Sequence, residues 1–261
     1  MNSGYPTATR HTHPPLPRTR RKPNKGGETI RLTNVFYYTI PRLKHREETL
    51  LANLHEHGVP QDKIQRIEGI DAETPGITTA QFIADASRRF PEYQHQGWQQ
   101  IPIGDLVYTY NIRSVLESIA HELTPYDAAL LLEDDWNIQQ PWQAFCDCVA
   151  KFPDGFSAPN AVRFHCWTRE PHPVIAPACK EHEDFTTEMR YPGEHGICVT
   201  QHGAKAMLQI LAQIPLSFLE YGIVDAPLSN CYTFRYPNST KWISSHDWVS
   251  YREKANERIL S

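Results

Sequence analysis

Three consecutive acidic residues, Glu133, Asp134 and Asp135, directly follow the apolar run 128–132. A short, wholly apolar run fits a central strand that is buried on both faces. In open α/β sheets, ligands bind at the carboxyl ends of such strands. Neighbouring carboxylates repel one another, so a fold that holds them together usually needs a cation, and hard oxygen ligands suit Mg²⁺ or Mn²⁺. The pattern therefore predicts a divalent-cation site.

The alternative interpretation of the three acids is structural. A solvated loop tolerates such a cluster, and acidic residues also favour the first turn of a helix. Pro141, a few residues further on, is at the favoured first position of a predicted helix.

The chain has the composition of a folded protein, with 40% hydrophobic and 21% charged residues among 261. This length suits one sizeable α/β domain, which we expect over residues 29–261, after a disordered basic tail over residues 1–28. Residues 1–27 contain six basic and no acidic residues, which leaves 20 basic and 30 acidic residues in the remainder. An acidic body is not expected to wrap nucleic acid by itself, whereas the tail could contact phosphates, anionic lipid or nothing.

No apolar stretch approaches the roughly 20 residues that cross a bilayer. The basic N-terminus is followed by Pro and Gly, where a signal peptide would have an apolar segment. The six cysteines form no C-x-x-C pair, which argues against a zinc ribbon and against a disulfide framework. We therefore expect a cytoplasmic protein with reduced thiols and without a transmembrane segment.

The apolar patterns predict alternating strands and helices, and hence an α/β fold with a mostly parallel central sheet. Strands are expected at 34–40, 64–70, 128–132, 161–166 and 195–200. Helices are expected at 47–58, 79–90, 105–123, 142–152 and 203–213, with a helical turn at 224–230 and short strands within 232–248. Asp105 is the predicted N-cap of the third helix.

The order of these features resembles glycosyltransferase family 25, the lipooligosaccharide and collagen sugar transferases with a GT-A type nucleotide-sugar domain. The best match is the segment 126–135, which is similar to the metal-binding strand end of that family. Further matches in the same order are the first strand with its basic R-x-x-x-R loop (36–46), an A-x-D-G-like turn (67–72), a helix start (103–111), a strand and GA-x-x-x-L helix (196–208), and a P…V-D element (Pro215 and 224–225). Two departures are Tyr110-Asn111 in place of Ser-His and Ile40-Pro41 after the first strand.

The resemblance implies a GT-A type Rossmann-like fold and a metal-dependent glycosyltransferase. Such an enzyme would move a sugar from a UDP-sugar to a hydroxyl acceptor with inversion, using Mn²⁺ or Mg²⁺. Asp135 is then the first expected metal ligand. Glu133 or Asp134 would supply a second ligand or contact the ribose hydroxyls. His246 would be a further ligand, or else a histidine of a surface loop.

The resemblance also places a set of residues on the nucleotide side of the site, and guanidinium groups suit bidentate phosphate contacts. This set consists of Thr39, Arg42, Arg46, Asp71 and Asp105, with Glu133 and Asp134. For Arg46, an ion pair with Glu47 or Glu48 in the first turn of its helix is the alternative.

An inverting transfer requires a carboxylate that accepts the proton of the acceptor hydroxyl. Asp225 is the candidate base, because its apolar neighbours could raise its pKa; it could equally cap the following helix. Glu220 and Glu194 are the substitutes.

The acceptor class stays open among a glycan, a lipid-linked saccharide and a modified base. A sugar transferase that acts on hydroxylated bases of DNA is a second hypothesis, since the basic tail could supply phosphate contacts. A metal-dependent nuclease or phosphodiesterase is a third, although such enzymes usually collect acids from several strands in a two-metal site. A non-catalytic binding module is the fourth.

Overall fold

The computed structural model describes residues 29–94, 99, 101–150, 161–164, 185–186, 196–213, 231–234 and 242–245. The predicted tail (1–28) and the helical turn (224–230) lie outside these residues. In the described part of the chain, strands and helices alternate along the first half. The strands are β1 (Arg31–Thr39), β2 (Ile64–Glu68), β3 (Asp127–Glu133), β4 (Trp136–Ile138), β5 (Ala161–Arg163), β6 (Phe185–Thr186), β7 (Ile197–Thr200), β8 (Cys231–Phe234) and β9 (Ile243–Ser245). The helices are α1 (Lys44–Glu56), α2 (Thr79–Ala86), α3 (Ile103–Glu122), α4 (Trp142–Ala150) and α5 (Gln201–Gln213).

The main sheet of the described residues has the strand order β2-β1-β3-β7-β5-β8-β6. The first three strands run parallel, with β1 between β2 and β3. β7 then pairs antiparallel with β3, and β5 pairs antiparallel with β7 and parallel with β8. The predicted α/β class is confirmed. The parallel strands β2, β1 and β3 share one carboxyl edge, which is where ligands bind in open α/β sheets.

The β3 strand is the centre of the core because both of its faces are covered. Six of its seven residues are buried. Leu130 and Leu132 face the cluster that includes α1 and α4, whereas Ala129 and Leu131 face the cluster with α3 and α5. Each fully buried leucine contributes about 1.5–3 kcal/mol of hydrophobic stabilisation. The continuous apolar run 128–132 therefore encodes a strand between two helical layers.

The structure corrects two details of the sequence interpretation. The α3 helix begins at Ile103 after Pro102, so Pro102 holds the N-cap position and Asp105 lies within the first turn. There its charge still favours the positive end of the helix dipole. The β4 strand, which pairs antiparallel with β9 in a separate two-stranded sheet, was not predicted. Three residues are too few to show a two-residue alternation of apolar and polar side chains.

The loop after β2 is held against the end of β1 by Asn111 of α3. The Asn111 side chain accepts a hydrogen bond from the Ile70 amide (2.9 Å) and donates one to the Ile70 carbonyl (3.1 Å). The Gly69 amide donates to the Thr39 carbonyl at 2.8 Å. A Cβ atom on Gly69 would lie 3.1 Å from Asn111 Nδ2 and 3.2 Å from that carbonyl oxygen. A side chain at position 69 would therefore crowd the close approach of these two backbone segments.

Among the described helices, none combines the length and the apolar composition that a bilayer span requires.

We predict that Asn111→Ala destabilises the protein by about 1–3 kcal/mol, because both polar groups of Ile70 lose their side-chain partner. The free energy of unfolding, measured by urea denaturation, checks this. Gln81→Ala is the control, since the Gln81 amide makes an exposed hydrogen bond to Asp85 on α2. That variant is expected to stay within about 0.5 kcal/mol of the wild type, and equal effects for the two variants would contradict the role of Asn111.

Candidate functional site

The ends of β1 and β3 bring Thr39 against the acidic cluster. In the parallel register Tyr38 lies opposite Glu133, so the residue after each lies at the same edge. The Thr39 hydroxyl donates a hydrogen bond of 2.6 Å to Asp134 Oδ2, and both residues are buried. Asp134 and Asp135 form the turn between β3 and β4. Thr39, predicted from sequence to face the nucleotide, is therefore in direct contact with the cluster.

Arg46 is a cation that contacts both aspartates. A single turn of 3₁₀ helix (Pro41–Leu43) follows β1, and α1 starts at Lys44. Arg46 is the third residue of α1 and lies close to the carboxyl end of β3. Arg46 Nη1 lies 3.5 Å from Asp134 Oδ1 and 3.5 Å from Asp135 Oδ2. The residue is only 4% exposed. One buried nitrogen thus contacts both carboxylates.

The two acids considered as helix partners of Arg46 are engaged elsewhere. Glu47 accepts hydrogen bonds from Arg66 (2.7 Å) and from the Tyr37 hydroxyl (2.8 Å). Glu48 lies 3.7 Å from Lys44 on the exposed face of α1. The ion pairs that the structure describes for Arg46 therefore join it to Asp134 and Asp135 and not to Glu47 or Glu48.

Glu133 accepts hydrogen bonds from two tyrosines. The Tyr38 hydroxyl donates to Glu133 Oε2 at 3.2 Å, and the Tyr108 hydroxyl of α3 donates to Oε1 at 3.0 Å. The two rings pack edge to face, with centroids 6.3 Å apart. Burial, together with the charges of Glu133 and of the two aspartates, raises the pKa of Tyr38, so that its hydroxyl stays protonated and donating.

The aspartate pair is under electrostatic strain. Burial raises the pKa of Asp134 to about 6, with a further rise from Glu133, against the opposing effects of the Thr39 hydroxyl and Arg46. Burial and then the charge of Glu133 raise the pKa of Asp135 to about 8, again opposed by Arg46. One guanidinium is therefore insufficient to stabilise the three ionised carboxylates fully. Strongly shifted carboxylates at a strand edge are typical of functional sites.

The donor set fits a hard divalent cation in part. Within the described residues, no three His, Cys, Asp or Glu side chains are grouped so that they could hold a metal ion. Two carboxylates do converge on one cationic atom, that of Arg46. Mg²⁺ is usually bound through one or two carboxylates together with waters and substrate phosphates. The aspartate pair meets that requirement, whereas the carboxylate of Glu133 is bonded to the two phenols.

Arg42 and Asp71, both predicted to face the nucleotide, are brought together by the fold. Arg42 donates two hydrogen bonds to Asp71, of 2.7 and 3.0 Å, and lies 3.3 Å from Glu73. This bidentate pair joins the turn after β1 to the loop after β2. Asp105 lies in the first turn of α3, one helical turn before Tyr108, where its carbonyl accepts a hydrogen bond from Thr109.

The remaining predicted site residues lie outside the described part of the chain. These are the predicted bases Asp225, Glu220 and Glu194, and the predicted metal ligand His246. The strand that precedes His246 is described, however. Ser245 is the last residue of β9 and pairs with Trp136, the residue directly after Asp135.

Sequence reasoning missed three residues that shape the site, Tyr38, Tyr108 and Asn111. Tyr38 and Tyr37 alternate along β1, so one of the two had to face the same side of the sheet as α3. Tyr108 and Asn111 are three residues apart in a helix and hence near each other on its surface. That spacing was visible, but the partners of both side chains are far away in the chain.

Comparisons with known proteins leave the family open. No model of a protein family matches the chain, and no curated protein is found to be similar to it. Among solved structures, one similar chain is described as a glycosyltransferase involved in the glycosylation of the major capsid of PBCV-1. The two share 12% sequence identity and a TM-score of 0.44, over 88% of this chain and 98% of the other. At this level of similarity we draw no conclusion from the match.

We predict that Asp135→Asn makes the metal-free protein more stable above pH 7, by about 1–3 kcal/mol at pH 8. Because the pKa of Asp135 is raised to about 8, between about pH 4 and pH 8 the folded state retains a proton that the unfolded state has released. The free energy of unfolding must therefore fall as the pH rises through this range, and the amide avoids that loss.

Urea denaturation at pH 5 and pH 8, with a chelator present, measures this difference. Asp62→Asn is the control because the Asp62 side chain is 73% exposed, and it is expected to change stability by less than about 0.5 kcal/mol. An Asp135→Asn variant less stable than the wild type at pH 8 would show that Asp135 has a structural role.

Proposed function

We propose that the protein is a metal-dependent glycosyltransferase of GT-A type that transfers a sugar from a UDP-sugar to a hydroxyl acceptor with inversion. The observation that carries the metal site is the convergence of Asp134 and Asp135 on one cationic atom. This convergence lies at the carboxyl edge of the parallel strands β1 and β3. The sugar-transfer chemistry is proposed from the sequence resemblance around residues 126–135.

Asp134 and Asp135 are the proposed carboxylate ligands of Mn²⁺ or Mg²⁺. His246 is proposed as a further ligand from the sequence resemblance; in the sequence it directly follows Ser245, which pairs with Trp136. When bound, the cation would offset the charge that develops on the leaving diphosphate. Two carboxylates and one imidazole leave room for phosphate oxygens and water.

Glu133 is proposed to accept hydrogen bonds from a hydroxyl group of the ribose or the sugar. Its carboxylate is held by the Tyr38 and Tyr108 hydroxyls, which fix the direction of the remaining lone pairs. Such a preorganised acceptor suits a neutral hydroxyl donor and costs little reorganisation on binding. This assignment takes one of the two roles that the sequence left open for Glu133.

Thr39, Arg42 and Asp71 belong to the proposed nucleotide side. Thr39 already holds Asp134, so its role is to orient a metal ligand. Arg42 is bonded to Asp71 at the exposed rim. A diphosphate that approaches this rim would compete with Asp71 for the guanidinium, which suits bidentate phosphate contacts.

The proton of the acceptor hydroxyl is proposed to pass to Asp225, with Glu220 as the alternative base. This assignment rests on the sequence resemblance alone, in which Asp225 corresponds to a V-D element. A carboxylate is required because inversion needs a base on the face opposite the leaving group.

A two-metal phosphodiesterase is less well supported by the geometry. Two-metal sites place their ions about 3.5–4 Å apart between acids that converge from several elements. In the described part of the site, the pair Asp134 and Asp135 shares one cation and the third acid contacts tyrosines. One cation bridged to a diphosphate is the simpler match.

We predict that UDP or a UDP-sugar raises the thermal midpoint only when Mn²⁺ or Mg²⁺ is present. A ligand at 100 times its Kd stabilises the folded state by about 2.7 kcal/mol, which is a readily measured shift. A panel of nucleotide sugars, with and without metal, is measured by differential scanning fluorimetry together with release of free sugar. In Asp134→Asn the metal-dependent shift should disappear.

The same panel also tests the competing functions. Cleavage of a model phosphodiester with no response to any nucleotide sugar would contradict the transferase and favour a hydrolase. A response only in the presence of duplex DNA, lost when residues 1–27 are removed, would favour a transferase that acts on bases. Lys63→Gln is a suitable control for Asp134→Asn, because the Lys63 side chain lies on the surface and pairs with Asp62.

We also predict that His246→Ala weakens Mn²⁺ binding by roughly tenfold or more, which corresponds to about 1.4 kcal/mol for one lost ligand. The affinity is measured by isothermal titration calorimetry. His121→Ala, on the exposed end of α3, should leave the affinity unchanged. Unchanged Mn²⁺ binding in His246→Ala would restrict the protein ligands to the aspartate pair.

A further inference from the structure

An acidic site disfavours the binding of a diphosphate, because both are negatively charged. Glu133, Asp134 and Asp135 repel an anionic substrate, and the cation that they attract would neutralise only part of their charge. We propose that Arg46 makes the site selective for the metal–diphosphate complex over the free metal ion. This inference rests on the proposed function and assigns Arg46 an electrostatic role within it.

The geometry shows that Arg46 is built into the cluster. Its Nη1 atom is 3.5 Å from Asp134 and 3.5 Å from Asp135, and the residue is 4% exposed. The turn Pro41–Leu43 starts α1 directly after β1, which places Arg46 in the first turn of the helix. Arg46 therefore contributes a permanent charge to the site, whereas the exposed Arg42 can exchange partners.

That permanent charge has opposite effects on the two ligands. Towards a divalent cation, Arg46 is a like charge next to both proposed ligands, and it occupies carboxylate oxygens that the cation would use. Towards a diphosphate, the same charge reduces the repulsion from three carboxylates in a buried, weakly screened environment. Arg46 is therefore expected to weaken binding of the metal alone and to strengthen binding of the diphosphate once the metal is present.

A purely structural role for Arg46 would have a different signature. A residue that only holds the aspartates in place would, when removed, weaken both ligands together, because both depend on the same pair. A residue that acts through its charge changes the two affinities in opposite directions. The sign of each change thus separates the two roles.

The test compares Arg46→Gln with Lys44→Gln in the full-length protein. Both substitutions remove one positive charge from the first turn of α1, but the Lys44 side chain is 77% exposed and pairs with Glu48. Isothermal titration calorimetry measures the affinity for Mn²⁺ alone and then the affinity for UDP at saturating Mn²⁺. In Arg46→Gln we expect Mn²⁺ alone to bind about tenfold more tightly and UDP about tenfold more weakly.

Two control variants separate the effect of the Arg46 charge from the other effects of the substitution. Lys44→Gln should change both affinities by less than about twofold, since exposed charges are screened. Arg46→Lys, which keeps the charge, should move both affinities back towards the wild type. If Arg46→Gln does not fold without metal, the same comparison is made between Glu133→Gln and Glu133→Gln/Arg46→Gln, where one carboxylate fewer reduces the repulsion.

The other possible results contradict either the inference about Arg46 or the proposed function. If Arg46→Gln weakens both ligands, Arg46 is structural; if it changes neither, its charge does not affect binding. In both cases this inference is wrong while the proposed function stands. If Arg46→Lys behaves like Arg46→Gln, the charge is not the cause and the inference is also wrong. If the wild type binds neither Mn²⁺ nor UDP, the proposed function fails, and the inference fails with it.

Discussion

The carboxylates of Asp134 and Asp135 can lie side by side at a buried sheet edge because one guanidinium contacts both of them. Two like charges this well buried would otherwise repel one another strongly. The arrangement requires the parallel pairing of β1 with β3, which aligns the strand ends, and the short turn before α1, which returns Arg46 beneath them. The contact between Arg46 and the two aspartates therefore depends on the register of the sheet and on the position at which α1 starts.

An acidic residue also lies at the amino end of β3. Asp127, at the amino end of β3, accepts a hydrogen bond of 2.6 Å from the Thr124 hydroxyl and one of 2.8 Å from Arg31. At the carboxyl end, the described partners of the three acids include one guanidinium, one threonine hydroxyl and two phenols, and burial raises the pKa values of Asp134 and Asp135. The raised pKa values of Asp134 and Asp135 support a functional role for the carboxyl end of β3, because strongly shifted carboxylates cluster at functional sites.

Features encoded locally were predictable from the sequence. The run 128–132 predicted β3 because five consecutive apolar residues fit a strand covered on both faces. The N-cap prediction for Asp105 was wrong because Pro102 allows the helix to start two residues earlier. The partners of Glu133 could not be predicted, since Tyr38 and Glu133 are separated by 95 positions and only the sheet register brings such distant residues together. A pattern-based method detects periodicity, not which helix face meets which strand end.

The central claim is that Asp134 and Asp135 bind a divalent cation together with a diphosphate. Anomalous diffraction at the manganese edge, from crystals grown with Mn²⁺ and UDP, tests it most directly. The account predicts one strong anomalous peak within about 2.5 Å of carboxylate oxygens of the aspartate pair, with diphosphate oxygens completing the coordination. Bound UDP without a peak at these residues, or a peak held by other side chains, would contradict the account.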